Sequence, residues 1–452
     1  MVFSYIQKNY KKHEYNRPRK RQKKGYACYA PFNTIRFTSE NTITNCCYNN
    51  SVYVNKSETN VSLKDVLSDE NFKRLRNNLR EYNFDNGCQY CGFFYHNGNY
   101  PLMHAYSFDS FQNSKNDLTI RRIEFDLSNR CNLECKMCIG RLSSSIRKNI
   151  EKLPAINSSY NKDFLSELKL LYPNLEVASF VGGEPFLISL YYDIWNDIIT
   201  NKPEAKLIIT TNATVLNSKI KDLLERGNFF FSLSIDSFKK EKYEYIRKGA
   251  SYERTMQNLE YFIDYSKRHS RWLTVNVCLM QENYEEIPEI VELLTHQNIG
   301  IHFNMVDFPL SSSLRGLNSD KLNQVYSFLK SHKKKQCKNN TNWNKYECIS
   351  KHVKALRDNS IKIEKSIVFT TGNSEDIYNS FNKYLVKALE DSYMIEKQSE
   401  ILKKFSNLFC KKDNGENIRI IRQLHRLPLN IFQMILAEEN FTEFEYYIDN
   451  YL

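Results

Sequence analysis

No apolar run in the 452 residues approaches the roughly 20 needed to span a bilayer. The opening residues, MVFSYIQKNYKKHEYNRPRKRQKK, lack the apolar centre of a secretory signal. The two absences predict a cytoplasmic protein with no membrane span. The histidines show no metal-ligand spacing, and past the basic N-terminus no nucleic-acid-binding motif occurs. There is no internal repeat beyond strand–helix units, and no low-complexity linker after the first residues. A chain that is 41% hydrophobic and 13% aromatic can fold as a globule. At this length two or three domains are expected.

The net charge of +12 is concentrated at one end, in Lys8, Lys11, Lys12, Arg17, Arg19, Lys20, Arg21, Lys23 and Lys24. Such a run can grip RNA or an acidic substrate. The plainer reading is a solvated lead-in, and residues 1–24 are read here as a basic, flexible arm without a nucleic-acid partner.

Twelve cysteines in a long chain without a signal read as metal ligands rather than disulfides, because they include C-x2-C and C-x3-C-x2-C patterns. The triad Cys131, Cys135 and Cys138 lies in DLSNRCNLECKMC, directly after the strand-like IRRIEFDLS. It therefore sits on a loop at the C-terminal end of a strand. Three thiolates can hold three irons of a four-iron cluster and leave the fourth open. Three buried cysteines, or a zinc site completed by histidine, are the alternatives.

From residue 118 the pattern alternates. Strands are predicted over 120–128, 175–181, 205–211, 229–235, 271–280 and 300–306, with helices over 161–171, 187–199, 216–226, 239–267 (broken) and 284–297. Six such units predict an α/β fold, an open or partial barrel over 118–310 with its site at the C-terminal strand ends. VGGEP ends the second strand with Gly182, Gly183 and Glu184; two glycines permit close approach of backbone. Thr211 and Asn212 end the third. Ser234 and Asp236 end the fourth and point the same way. Arg247 follows it, and Asn276 lies on the fifth beside Cys278, read as a filling side chain.

The triad, GGEP one strand later, and S-x-D on the fourth strand together resemble the radical S-adenosylmethionine (radical SAM) superfamily. One departure is Met137, where that family usually has an aromatic residue. The resemblance implies a (β/α)6 TIM-like partial barrel and a 4Fe-4S cluster on Cys131, Cys135 and Cys138, with SAM on its open iron. It implies SAM contacts from Gly182, Gly183, Glu184, Asn212, Ser234, Asp236, Arg247 and Asn276. It implies reductive cleavage of SAM to a 5′-deoxyadenosyl radical that abstracts a hydrogen atom, with flavodoxin or ferredoxin as electron donor.

The preceding stretch predicts a β-hairpin, Thr34 to Phe37 and a second run ending at Cys46 and Cys47, with a turn at Ser39–Asn41. A helix follows, capped at Ser68 or Asp69, with Phe72, Leu75 and Leu79 as its apolar stripe. Cys88 and Cys91 then lie on a C-x2-C turn. Cys28, Cys46 or Cys47, Cys88 and Cys91 can supply four ligands, the count of a structural zinc site. Neighbours in a strand face opposite ways, so only one of Cys46 and Cys47 is expected to ligate. Over residues 25–95 this block resembles the SPASM/twitch auxiliary modules of radical SAM enzymes, although those usually follow the barrel. The resemblance implies a second 4Fe-4S cluster, with zinc as the alternative, in a small α+β module over 25–117.

Residues 311–452 read as a mostly helical region in which Cys337, Cys348 and Cys410 have no ligand spacing. The family analogy suggests a peptide or protein substrate first and a small molecule such as a sugar or cofactor precursor second. A non-catalytic iron–sulfur or zinc protein is the third reading, and GGEP with S-x-D argues against it.

Overall fold

The computed structural model describes residues 10–17, 19, 25–49, 54–55, 63, 66–84, 87–111, 118–156, 160, 162–332, 341–391, 397–438 and 440–452. Nine strands form one sheet: β1 (Thr34–Thr38), β2 (Thr42–Thr44), β3 (Val54–Asn55), β4 (Arg122–Asp126), β5 (Val177–Phe180), β6 (Lys206–Thr211), β7 (Phe229–Ser234), β8 (Leu273–Leu279) and β9 (Gly300–Met305). Their order is β3-β2-β1-β4-β5-β6-β7-β8-β9. From β4 onward every neighbouring pair is parallel. Each of these six strands falls within about two residues of its expected span. They are legible because apolar residues that pack under the helices recur along each strand, alternating with polar ones in β4 and β8; all four residues of β5 are buried.

The expected hairpin is present, since β1 pairs antiparallel with β2. It does not belong to a separate module, which corrects the expected boundary at 117/118. β1 runs parallel to β4 with Thr34 opposite Arg122 and Thr38 opposite Asp126, making a seventh parallel strand. The reason is burial: Ile35 and Phe37 are fully buried. Phe37 packs on Phe125 of β4 and on Phe164, at ring distances of 6.0 and 4.9 Å. One core runs through both parts.

The long helical stretch is broken as expected, into Lys240–Ile246 and Tyr252–Arg268. On the edge strand β9, Asn342 accepts from the Ile301 N–H at 3.0 Å and Lys345 donates to the Ile301 carbonyl at 2.6 Å. Both come from the helix Thr341–Glu364, which thereby covers an edge that would otherwise invite pairing. Helices Ser374–Asp391, Gln398–Cys410, Asn414–Leu424, Leu429–Leu436 and Phe441–Tyr451 build a second core around Phe381, Phe405, Leu424 and Phe432. Cys348 is buried and Cys410 exposed, while Cys337 lies outside the described residues.

The basic lead-in, expected to be solvated, keeps Tyr10, Lys12, His13 and Arg17 exposed but is anchored at Tyr15 and Arg19. Residues 10–16 are helical. Tyr15 is fully buried and donates to the Ala27 carbonyl at 2.6 Å. Arg19 pairs with Asp109 and lies 4.6 Å over the Tyr15 ring. Apolar Tyr15 and a paired, stacked arginine have reason to be inside. Lys8, Lys20, Arg21, Lys23 and Lys24 lie outside the described residues. Among the described residues, no helix is long and apolar enough to cross a membrane.

Candidate metal and cofactor sites

The loop after β4 carries the first thiol group. Its backbone is fixed on two sides. Ser144 accepts from the Cys131 N–H at 3.0 Å, and Ser145 donates to the Cys131 carbonyl at 2.8 Å. Glu134 and Lys136 N–H groups donate to the carbonyls of Lys248 and Ile246 at 2.8 and 2.9 Å. Cys131, Cys135 and Cys138 are free thiols that feel one another's charge. Burial pushes Cys135 up to about 11 and Cys138 further, while Arg247 pulls Cys135 back. Buried thiols of this kind stay protonated until a cation stands among them. The donor set, three soft sulfurs on one loop, suits iron–sulfur ligation.

Gly182 and Gly183 form a cradle against this loop. Their φ values are +86° and +48°. A Cβ on Gly182 would meet Asp126 Oδ1 at 2.4 Å, and one on Gly183 would meet the Arg130 carbonyl oxygen at 2.1 Å. Glu184 then donates its own N–H to that Arg130 oxygen at 2.7 Å. No side chain fits at either glycine, so the turn lies flush against the chain entering the triad.

Glu184 itself is fully buried and turned into the fold. It accepts from Thr211 Oγ1 at 2.8 Å, from the Asn212 N–H at 2.8 Å and from the Phe186 N–H at 3.1 Å. Burial nevertheless holds its carboxyl up at about 7. Both oxygens are already occupied, which makes Glu184 a strut between the glycine turn and the end of β6 rather than a free acceptor. Asn212 does face the triad. Its Nδ2 donates to Asn132 Oδ1 at 3.1 Å and stands 4.0 Å from Cys131 Sγ, while its Oδ1 accepts from Thr214.

Asp236 and Arg247 were expected to face SAM separately, and the structure pairs them. Arg247 lies 2.7 Å from Asp236 Oδ2, and the Cys278 N–H donates to Oδ1 at 2.7 Å. Both side chains are almost wholly buried. Two desolvated charges of opposite sign gain most by meeting each other. The pair sits under the triad loop, close enough to influence Cys135. Ser234 is half-buried at the end of β7, and Asn276 is buried on the neighbouring β8.

The C-terminal region reaches this loop, which no sequence pattern disclosed. Glu151 accepts from the Gly140 N–H at 2.6 Å and from the Tyr451 hydroxyl at 2.5 Å. Arg147 pairs with Glu443 in a nearly buried ion pair. Ile139 packs with Tyr447 and Tyr451. The last helix therefore clamps the segment that follows Cys138.

The second thiol group collects Cys28, Cys46, Cys47, Cys88 and Cys91, all free and partly buried. Cys88 caps the helix Gln89–His96 and Cys91 lies in its first turn, so the pair starts a helix rather than occupying a turn. The strand alternation behind the expectation that only one of Cys46 and Cys47 ligates does not hold. β2 has ended at Thr44, and the two cysteines lie in irregular chain and a turn, where strand alternation no longer applies. Both sulfurs stand within 4.8 Å of each other and of a His104 ring nitrogen. His104 was missed, because its only signal is spatial.

The inward side of the sheet is polar. Arg36 pairs with Asp126 between β1 and β4, Arg122 with Glu124 at 2.7 Å, and Ser232 meets Thr274 at 3.0 Å between β7 and β8. His302, on the far strand β9, is solvent-accessible yet surrounded by protein on most sides; that partial desolvation and Lys345 hold it down at about 4, and it feels His104 and Cys47 from the other end of the sheet. The two ends of the sheet therefore curl towards each other, as in a partial barrel.

A curled parallel sheet with a thiol triad and a glycine cradle at its strand ends defines a cofactor-binding partial barrel. Residues 125–294 of the chain match the Radical SAM superfamily. A probable GTP 3′,8-cyclase of Methanocaldococcus jannaschii is 27% identical over 201 residues, covering 44% of this chain and 62% of that protein. A GTP 3′,8-cyclase of Limosilactobacillus fermentum is 25% identical over 198 residues, covering 42% and 55%. The chain thus spans less than two thirds of the length of these curated relatives. Among solved structures, native anSMEcpe with bound AdoMet aligns at a TM-score of 0.37 and 18% identity, covering 47% of this chain and 59% of that one. Streptococcus suis SuiB bound to S-adenosylmethionine aligns at 0.35 and 18%, covering 50% and 51%. At these scores the superpositions add nothing to the domain match.

Proposed function

We propose that this chain is a radical SAM enzyme acting on a compact polar molecule. The observation that carries the reading is the thiol triad seated between the two-glycine cradle and Asn212. Bound there, a four-iron cluster and SAM would supply hydrogen-atom abstraction. Cys131, Cys135 and Cys138 hold the cluster. Gly182 and Gly183 let their turn lie flush against the chain entering the triad and are proposed to offer backbone groups to the methionine end of SAM, and Glu184 keeps the turn in place through Thr211 and Asn212. Ser234 and Asn276 are proposed to meet the nucleoside end. Asp236 and Arg247 position the loop from below. The reductant is a low-potential carrier such as flavodoxin or ferredoxin.

The lumen supports this substrate class. The ion pairs Arg36–Asp126 and Arg122–Glu124, with His302 opposite, give the lumen a polar lining that suits a compact polar substrate better than an apolar one. The two relatives above are named for cyclising GTP, itself compact and charged. A peptide, the substrate that the auxiliary-module resemblance suggests, would reach these groups with only a side chain or a loop. A second, twitch-like centre is proposed on Cys28, Cys88 and Cys91.

The test is anaerobic reconstitution of the full chain with iron and sulfide, then SAM and a reductant. 5′-Deoxyadenosine is the expected product, and its yield should rise with the small-molecule filtrate of a cell lysate. A rise only with the retained macromolecules would restore the peptide reading. No 5′-deoxyadenosine from cluster-loaded protein under any condition would remove the activity altogether.

A further inference from the structure

Two sulfurs and an imidazole nitrogen converge where the sequence offers no spacing for a site. Cys46 Sγ, Cys47 Sγ and a ring nitrogen of His104 lie within 4.8 Å of one another. The Cys47 Sγ to His104 Nε2 distance is 3.7 Å. Zinc–sulfur bonds of about 2.3 Å and zinc–nitrogen bonds of about 2.0–2.1 Å put neighbouring ligands of a tetrahedron about 3.6 Å apart. The observed separation matches the edge of one tetrahedron. Ligands on different irons of a cubane cluster must stand much farther apart, since each binds its own metal.

The surroundings hold these donors in place. The chain turns after β2, and the Asn49 N–H donates to the Cys46 carbonyl at 3.2 Å, so adjacent cysteines can face one point. The Tyr48 N–H approaches Cys46 Sγ at 3.5 Å, a contact that favours a thiolate. The His104 ring is wedged edge-on between Tyr48 and Phe108, each at 5.2 Å. Tyr48 in turn stacks on Tyr90 at 3.7 Å. A cysteine–histidine pair built for nucleophilic attack needs one thiol; here a second thiol reaches the same point.

We infer that Cys46, Cys47 and His104 bind a single zinc-class divalent ion, beside the Cys91 thiol that accepts from the His104 backbone N–H, with the fourth position left to water. Two thiolates and an imidazole are borderline-soft donors, the preference of Zn2+ over Mg2+ or Ca2+. The ion ties the end of the β1–β2 hairpin to the segment His104–Phe111. The inference does not rest on the radical SAM reading.

The test uses the full chain, purified anaerobically, with zinc and iron measured together by mass spectrometry and Co2+ as a spectroscopic probe. Wild type should hold about one zinc besides its iron, and its Co2+ form should show the intense visible bands of a tetrahedral thiolate site. His104→Ala and Cys47→Ser should each weaken Zn2+ binding at least about tenfold and leave iron content unchanged. His104→Cys, which keeps a ligand, should restore Zn2+ binding and guards against a folding defect in the alanine variant. Iron lost in step with zinc in His104→Ala would make His104 a cluster ligand and overturn the inference. Wild type that takes up neither Zn2+ nor Co2+, while Cys47 alkylates rapidly, would replace it with a reactive thiolate–imidazolium pair.

Discussion

The two thiol groups are built in opposite ways. Cys131, Cys135 and Cys138 lie on one loop, and the fold merely presents them: serines hold the loop from behind and two glycines lie against it. The N-terminal group is assembled from four separate segments, carrying Cys28, Cys46–Cys47, Cys88–Cys91 and His104. A local site keeps its donors together even before folding is complete. An assembled site exists only once the β1–β2 hairpin, the helix Gln89–His96 and the segment His104–Phe111 have docked. The first should therefore tolerate damage to the second, while sharing a core with it.

The sharpest way to break this comparison is to remove thiols from each group in turn. Changing Cys131, Cys135 and Cys138 together to Ala should abolish 5′-deoxyadenosine formation and remove the iron of that site. Changing Cys88 and Cys91 to Ala should remove the iron of the N-terminal centre only and leave some uncoupled SAM cleavage. Equal loss of SAM cleavage in both variants, measured by chromatography alongside iron content, would show that the groups are not separable. Next in size is Gly183→Ala. Its Cβ would fall 2.1 Å from the Arg130 oxygen. Relieving that overlap must move the loop or the turn, at a cost of about 1–3 kcal/mol. SAM affinity by calorimetry should fall by roughly ten- to a hundredfold with iron content retained. Unchanged affinity would take the cradle out of the SAM site.

The same contrast explains what the sequence made legible. The triad and VGGEP are short patterns whose chemistry is local, and the six strands β4 to β9 carry recurring apolar residues bounded by turns and helical patterns. Met137 shifted none of this, because a side chain before the third cysteine does not alter the spacing. Three things escaped. β1 reads as half of a hairpin because its antiparallel partner is next in the chain; its parallel pairing with β4 involves residues about ninety positions away. Asp236 and Arg247 read as separate ligands because a sequence does not show that two buried charges will neutralise each other. His104 stands far along the chain from Cys47, and only the folded hairpin brings them together.

A smaller effect tests how far the local site depends on the rest of the chain. Arg147 and Glu443 form a nearly buried pair between the segment after Cys138 and the last helix. Removing one partner strands the other without solvent, at a cost of about 3–5 kcal/mol. Arg147→Met should therefore lower stability more than the double change Arg147→Met with Glu443→Leu, which leaves no lone charge. Iron at the triad should exchange faster in the single variant. Equal denaturant midpoints for the two variants would show that the ion pair is not what seats the helix.

The smallest expected effect concerns pH and the far side of the assembled region. His352, on the helix Thr341–Glu364, is 2% exposed and packs against Phe93 and Phe94 at 5.6 and 5.3 Å. It lines a cavity of about 310 Å3 with Phe93, Met305 and Arg315. Burial, with the Arg315 charge, pushes its folded pKa down to about 3 from the ordinary 6.5. The neutral ring is therefore favoured by folding. The contribution is fully present above about pH 6.5 and is lost as pH falls from there toward 3, because the unfolded chain takes up the proton first. At about pH 5 the loss amounts to roughly 2 kcal/mol. His352→Phe keeps a ring against Phe93 and Phe94 but cannot titrate. Its denaturant midpoint should change less between about pH 7 and pH 5 than that of wild type. His302, depressed in the same direction, remains in both proteins and cancels in the difference. Parallel pH profiles for the two proteins would mean that His352 is not held neutral by the packing of the helix Thr341–Glu364 on the helix Gln89–His96.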